Sequence, residues 1–486
     1  MLESTKAILP EVILIITTFY LTLRSASGRA KRESLYFEAL FGAIAALVCL
    51  ILFSDRYFEK MAFYSLLKMD KTAFYFRVIF IVLAIFVIVM TARSSEISDY
   101  LFGEYLVMVI SLTAGMCFLA SSVDLLMIYF SLEWISLSSY LLTGFIAYKR
   151  SASEASMKYT LFGGIASAVM LFGISWLFGM TGTLRLNEIP AAYVASQNLM
   201  MVFSLVLILV GFAFKIAAVP LHFWAPDAYQ AAPTPVTTLF SIGPKAAGFV
   251  ILIRVFYYSL FGTDEIAKIM ESIKPNLEII FSFLAAITMT AGNLLALRQE
   301  NIKRMLAYSS ISHAGYLLMG LAAMTDNGIH AMFFYIFVYL LMNGGAFFIV
   351  NLIIIRWGRE EIKDYEGLGW RGGSQTILAL VMSIFLFSLA GLPPFAGFIG
   401  KWFIFAAAVE KQMYLLVMIG LVNIVIGLYY YARIIKAMYL VQTCQPQTEI
   451  KLRINEGLWM GTLSSSLIYF GIFFSPFRDY LRTMLP

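Results

Sequence analysis

The sequence predicts an all-α integral membrane protein of about fourteen transmembrane helices, and two observations carry that prediction. Of its 486 residues, 61% are hydrophobic and only 13% charged, with a mean hydropathy of +0.83. A water-soluble globule of that composition lacks the polar residues to cover its surface, so lipid is the solvent for most of it. Apolar runs of roughly 18 to 25 residues also recur along the whole chain, each long enough to cross about 30 Å of hydrocarbon as a helix. The short alternating segments that a transmembrane barrel needs are missing.

In chain order the runs place helices near 8–23, 37–54, 73–91, 105–121, 124–147, 157–179, 199–219, 237–261, 277–297, 304–324, 329–356, 375–396, 412–441 and 457–475. The first follows Met1 to Lys6 with no small-residue cleavage pattern behind it, and reads as a retained span. The expected organisation is three N-terminal helices over 1–103, a first repeat over 104–261, a second over 275–441 and a C-terminal helix over 442–486. The longest linkers, 356–374 and 442–455, are too short to be domains.

One set of loops holds, among others, Arg24, Lys149, Arg150, Arg298, Arg356, Arg359 and Lys451, and is richer in cations than the opposite set. By the positive-inside rule that set faces the cytoplasm, which puts both termini outside a bacterial inner membrane. These loop cations also account for the net charge of +6, so nucleic acid is not an expected partner. Cys49, Cys117 and Cys444 show no CxxC or Cys/His spacing, and no metal or disulfide role is expected of them. No Walker loop, GxGxxG turn or haem motif is present, so no cofactor is expected to bind this chain.

Ionisable residues inside spans cost roughly 2.5–3.5 kcal/mol each on insertion scales, so each asks for a reason. They are Asp124, Glu133, Lys158, Lys215, His222, Lys245, His313, His330 and Lys401. Asp124 and Lys158 lie near helix ends, where capping or snorkelling competes with function. His330 opens an apolar run and reads as a structural histidine. Glu133 is deeper, with apolar residues on both sides, and a carboxylate there either pairs with a cation to fix packing or takes part in chemistry.

Lys215 precedes Pro220 by five residues, and proline breaks or kinks a helix by removing a donor and clashing with the preceding turn. Gly391-Leu392-Pro393-Pro394 makes a second break ahead of Lys401. Broken helices are tolerated at membrane depth where they line protein or a wet cavity, and transporters build ion sites there. Glu133 precedes Lys215, and His313 precedes Lys401, by similar distances with one helix between, as two inverted five-helix repeats require. Desolvation disfavours a buried ammonium and a nearby carboxylate favours it, so small movements of charge could load and unload such lysines. Lys215, Lys245, His313 and Lys401 are the expected chain of protonatable sites.

The stretch KIAAVPLHFWAPDAYQAAPTPV from Lys215 to Val236 resembles a signature of the antiporter-like membrane subunits of respiratory complex I, the proton-translocating NADH:quinone oxidoreductase. VTTLFSIGPKAAGFVILIR (Val236 to Arg254), NIKRMLAYSSISHAGYLLMG (Asn301 to Gly320) and GLPPFAGFIGKW (Gly391 to Trp402) are similar in the same way. Pro226-Asp227-Ala228-Tyr229, with tyrosine where the larger sisters usually have histidine, resembles the subunit N branch. The resemblance implies an antiporter-like fold with two inverted repeats and proton translocation driven by quinone reduction elsewhere in a multisubunit enzyme. FMN, iron–sulfur clusters and quinone would belong to partner subunits. It also implies Glu133 as the charge-pair glutamate, Lys215 as the pumping lysine, Lys245 and His313 as connecting residues, Lys401 as the ionisable residue of the twelfth helix, and Lys158 as a further lysine. A subunit of a cation/proton (Na+/H+) antiporter is the alternative, and a scaffold held by buried charges is a third.

Overall fold

Backbone groups in hydrocarbon have only one another to bond, so long runs of Leu, Ile, Phe and Val without interior breakers become helices. The computed structural model describes residues 6–28, 30–54, 58–146, 148–191, 198–258, 273–441 and 450–483. In order these form α1 (Leu9–Ala26), α2 (Arg32–Phe53), strands β1 (Lys60–Ala62) and β2 (Leu67–Met69), α3 (Lys71–Thr91), α4 (Phe102–Ser121), α5 (Leu125–Thr143), α6 (Arg150–Thr181) and α7 (Asn198–Lys215). Then come α8 (Trp224–Ala231), α9 (Thr234–Ile253), α10 (Lys274–Ala296), α11 (Ile302–Ala322), α12 (Asp326–Trp357), α13 (Gly373–Ala390), α14 (Ala396–Glu410), α15 (Tyr414–Leu440), α16 (Ile454–Ile472) and α17 (Ser475–Arg482).

A helix lies at every one of the fourteen apolar runs, although 147 of the fifth run and 259–261 of the eighth fall outside the described residues. Among the described residues, eleven helices are long and apolar enough to cross a membrane, or twelve if α16 and α17, bent by 80°, count as one span. The two runs that fall short have physical reasons. α7 stops at the break after Lys215, and α11 is diluted by Lys303, Arg304, His313 and several serines. The antiparallel hairpin β1–β2, the helices α8 and α14 that follow the two breaks, and the terminal helix α17 were not expected from the hydropathy pattern.

Sequence-encoded caps set several helix starts. Asp70 accepts from Ala73 N at 2.7 Å at the head of α3, and Asp124 accepts from Leu126 N and Met127 N at the head of α5. The capping reading of Asp124 is therefore the one its contacts support. α6 begins at Arg150, ahead of the expected 157, which puts Lys158 two turns inside the helix rather than at its end.

The chain divides into two compact units, Met1–Ala217 with Ala231–Leu277, and Ala218–Gln230 with Glu278–Pro486. Two buried ion pairs that hydropathy reading overlooked sit in the first. Arg77 bonds Glu11 at 2.5 Å, with side chains 5% and 1% exposed. Arg254 forks onto both oxygens of Asp70 at 2.9 and 2.7 Å, and its Nε donates to Ala120 O at 2.7 Å. Cys49 and Cys117 are buried free thiols, while Cys444 lies outside the described residues.

Candidate functional site

In the first unit the site gathers where α7 ends. Lys215 is its last residue and is 2% exposed. Beyond it Ala217 takes a left-handed φ of 57° and Pro220 forbids continuation, so the helix gives way until α8 begins at Trp224. The Lys215 ammonium donates to Ser136 Oγ at 3.1 Å, and Glu133, three residues earlier on α5, acts on it through space. One carboxylate oxygen of Glu133 accepts a short hydrogen bond from Ser167 of α6. Lys245 lies in α9, every residue of which is buried, directly after an in-helix proline, Pro244.

α9 meets the end of α7 at Gly248, three residues from Lys245 and so on the same face of the helix. A Cβ on Gly248 would stand 2.5 Å from Ile216 Cγ2 and 3.7 Å from Lys215 Cβ, so the absent side chain is what lets the helices close. Lys158 is different. It pairs with Glu154 on its own helix at 2.7 Å, with side chains 41% and 57% exposed.

The second unit holds the other set. His313, in the middle of α11, is 2% exposed, with Nδ1 2.5 Å from the Tyr335 hydroxyl of α12 and Nε2 3.1 Å from the Tyr431 hydroxyl of α15. Tyr431 also makes a short hydrogen bond to Ser309 Oγ. Tyr430 packs on Tyr431 with ring centroids 4.4 Å apart and donates to Asn293 Oδ1 at 2.9 Å. The ring of Tyr316 stands edge-on to the His313 imidazole with centroids 6.0 Å apart, and the Lys401 ammonium lies 5.0 Å over that ring.

Lys401, 5% exposed, donates to Leu389 O at 2.8 Å and Ala390 O at 3.0 Å. These are orphan carbonyls at the end of α13, where a cation complements the negative end of the helix dipole. Gly391 follows with φ 84°, and a Cβ there would meet Lys401 Cδ at 2.9 Å. The lysine thus folds back over a turn that only glycine accommodates.

Of the remaining ionisable candidates, His222 is buried in the 218–230 segment. His330 lines a cavity of about 190 Å³ with Asn327, Glu410, Arg478 and Arg482. The sequence reading missed Ser136, Ser167, Asn293, Tyr316, Tyr335, Tyr430 and Tyr431. Helical spacing from Glu133 and His313 was a usable signal for Ser136 and Tyr316. The others reach the site from separate helices, and nothing in their local sequence marks them.

A fold of packed apolar helices interrupted beside buried lysines defines a membrane ion-translocation protein. A family model described as "NADH:quinone oxidoreductase/Mrp antiporter, TM" matches residues 122–427, and the chain belongs to that family. Its relatives include NADH-quinone oxidoreductase subunit N of Anaeromyxobacter sp. (strain Fw109-5), 41% identical over 446 residues, covering 87% of this chain and 85% of the relative. Subunit N of Chlorobium chlorochromatii is 40% identical over 429 residues, covering 86% and 83%. Among solved structures, a chain of respiratory complex I from Thermus thermophilus superposes with a TM-score of 0.80 at 28% identity, covering 97% of this chain and 99% of that one.

Proposed function

We propose that this chain is a proton-translocating membrane subunit of NADH:quinone oxidoreductase, moving protons through buried Lys and His sites and the half-buried Glu133 while quinone is reduced elsewhere in the complex. The observation that carries the reading is the burial of Lys215, Lys245 and Lys401 to 2%, 4% and 5% exposure, the first and last of them beside helix interruptions. Architecture alone is a poor reason to keep three ammonium groups at such cost. Glu133 stabilises the charged Lys215, Lys245 takes its proton in the same unit, and His313 and Lys401 form the second set. Lys158, paired with Glu154 and half exposed, sits at the margin as a surface-facing donor.

Redox chemistry falls to partner subunits carrying FMN, iron–sulfur clusters and quinone, because no motif for such a group is present in this sequence. The other membrane and hydrophilic subunits, and lipid, are its neighbours. It spans a bacterial inner membrane with both termini outside. Glu133→Gln tests the reading in the assembled complex, in sealed vesicles driven by NADH. Proton uptake and quinone reductase activity should fall more than assembly does. A variant that pumps at the normal rate and ratio contradicts the charge-pair role, and transport that requires sodium favours a cation/proton antiporter instead.

A further inference from the structure

We propose that His313 is a proton store served through one nitrogen, with Tyr431 as the relay residue at Nε2 and Tyr335 as the positioning residue that holds Nδ1. The inference rests on the proton-translocating reading above and says how one of its sites works. A neutral imidazole carries a proton on one nitrogen and a lone pair on the other, and the hydrogen bonds of each nitrogen decide which. Here each nitrogen faces one phenol, and the two phenols differ in what lies behind them.

Tyr335 is fully buried, and His313 is its one hydrogen-bond partner among the described residues. Its ring stacks on the imidazole at 24° with centroids 5.9 Å apart, and Tyr339 closes another side at 5.2 Å. That clamp fixes the ring plane and leads nowhere. Tyr431 is 1% exposed and opens onto further polar groups: its hydroxyl makes a short hydrogen bond to Ser309, and the ring of Tyr430, whose own hydroxyl donates to Asn293, packs on it with centroids 4.4 Å apart. Among the described residues, a hydroxyl-to-hydroxyl contact therefore continues from the Tyr431 side of His313 and not from the Tyr335 side.

The step balances without any change of oxidation state. His313 rests with Nδ1–H donating to the Tyr335 oxygen and a lone pair on Nε2. An arriving proton binds the Tyr431 oxygen as that hydroxyl's own O–H bond breaks and its proton forms a new N–H bond at Nε2. His313 is then an imidazolium and both tyrosines are neutral. Discharge is the reverse along the same contacts, so the ring never has to turn over.

The test uses the whole complex in sealed vesicles, with proton uptake and NADH oxidation recorded together for His313→Gln, Tyr431→Phe and Tyr335→Phe. Phenylalanine keeps each ring and removes only the hydroxyl. Tyr431→Phe should match His313→Gln, with a loss of about tenfold or more in proton uptake, because relay groups contribute at least that much. Tyr335→Phe should lose only a few fold. Replacing Tyr431 with 3-fluorotyrosine, which changes the acidity of the hydroxyl but hardly its shape, should move the pH profile of uptake, which a purely structural hydroxyl would not do. Equal, severe loss in both phenylalanine variants would overturn the proposal in favour of a through-path. Normal uptake by Tyr431→Phe, or an unmoved profile with fluorotyrosine, would also overturn it. Normal pumping by His313→Gln would instead overturn the underlying assignment of His313.

Discussion

Replacing Lys215 with arginine separates proton carriage from charge pairing. Both side chains present a cation to Glu133 and a donor to Ser136, now 3.1 Å from the lysine nitrogen, so a fixed ion pair should tolerate the exchange. The larger guanidinium must fit where Lys215 is 2% exposed and α9 closes to glycine distance, an overpacking cost of about 1–3 kcal/mol. Assembly should survive that. Proton release should not. Arginine holds its proton to a pH above about 12, some five units beyond neutrality, and at 1.36 kcal/mol per unit that is about 7 kcal/mol, or about 10⁵-fold, against deprotonation. Proton uptake by vesicles containing Lys215→Arg, measured with a pH-sensitive dye during NADH oxidation, should fall to the level of Lys215→Ala. Near-normal uptake by the arginine variant would show that Lys215 is a fixed charge and refute the carrier role.

Three other outcomes follow from the packing. Asp70→Asn keeps a capping oxygen for α3 but leaves the buried Arg254 guanidinium without its counter-charge, which should cost about 3–5 kcal/mol and appear as loss of the subunit from the solubilised complex on mild heating; an unchanged melting profile would contradict it. Gly248→Ala should lower both assembly and proton uptake through an overpacking cost of about 1–3 kcal/mol, whereas Gly164→Ala, where a Cβ meets nothing within 4 Å, should be silent in both assays. Cysteines introduced as Lys149→Cys or Arg359→Cys should react with an impermeant reagent only from the cytoplasmic side, and Arg185→Cys or Lys411→Cys only from the other. The reverse pattern would invert the assigned orientation.

Much of the fold was legible because lipid imposes a one-dimensional rule: a helix must be apolar for its whole crossing. That rule finds a helix at each run and both interruptions, since Pro220 and Pro393-Pro394 announce themselves in sequence. It does not find Arg77, Arg254 or Glu11. Each lies inside or beside an otherwise apolar run and is neutralised by a residue far along the chain, as when Arg254 meets Asp70. The titrating residues of the site were legible for a related reason, since an ionisable group in a span is conspicuous. Their hydrogen-bond partners were not. Tyr335, Tyr431 and Asn293 are ordinary components of buried helices until the fold carries their hydroxyl and amide groups to His313 and its neighbours.

The two lysines beside the breaks show how sequence position and chemical position can part. Lys215 is the last residue before its interruption, whereas Lys401 comes after its own, five residues into α14. By position they are not equivalent. Yet Lys401 folds back over Gly391 until its ammonium reaches Leu389 O and Ala390 O, the last carbonyls of the half-helix ahead of the break. Each lysine is thus tied to the C-terminal end of a first half-helix, Lys215 as its last residue and Lys401 through its unpaired carbonyls, which offset part of the desolvation cost. The difference lies in what else acts on them. Lys215 has a carboxylate, Glu133, whose field reaches it, so its charge can respond to events along α5 and α6. Lys401 is held by backbone carbonyls and an aromatic face, neither of which can titrate, so its charge answers to the geometry of the break itself. The proposed translocation cycle would therefore act on one lysine within reach of a carboxylate and on another held by backbone carbonyls.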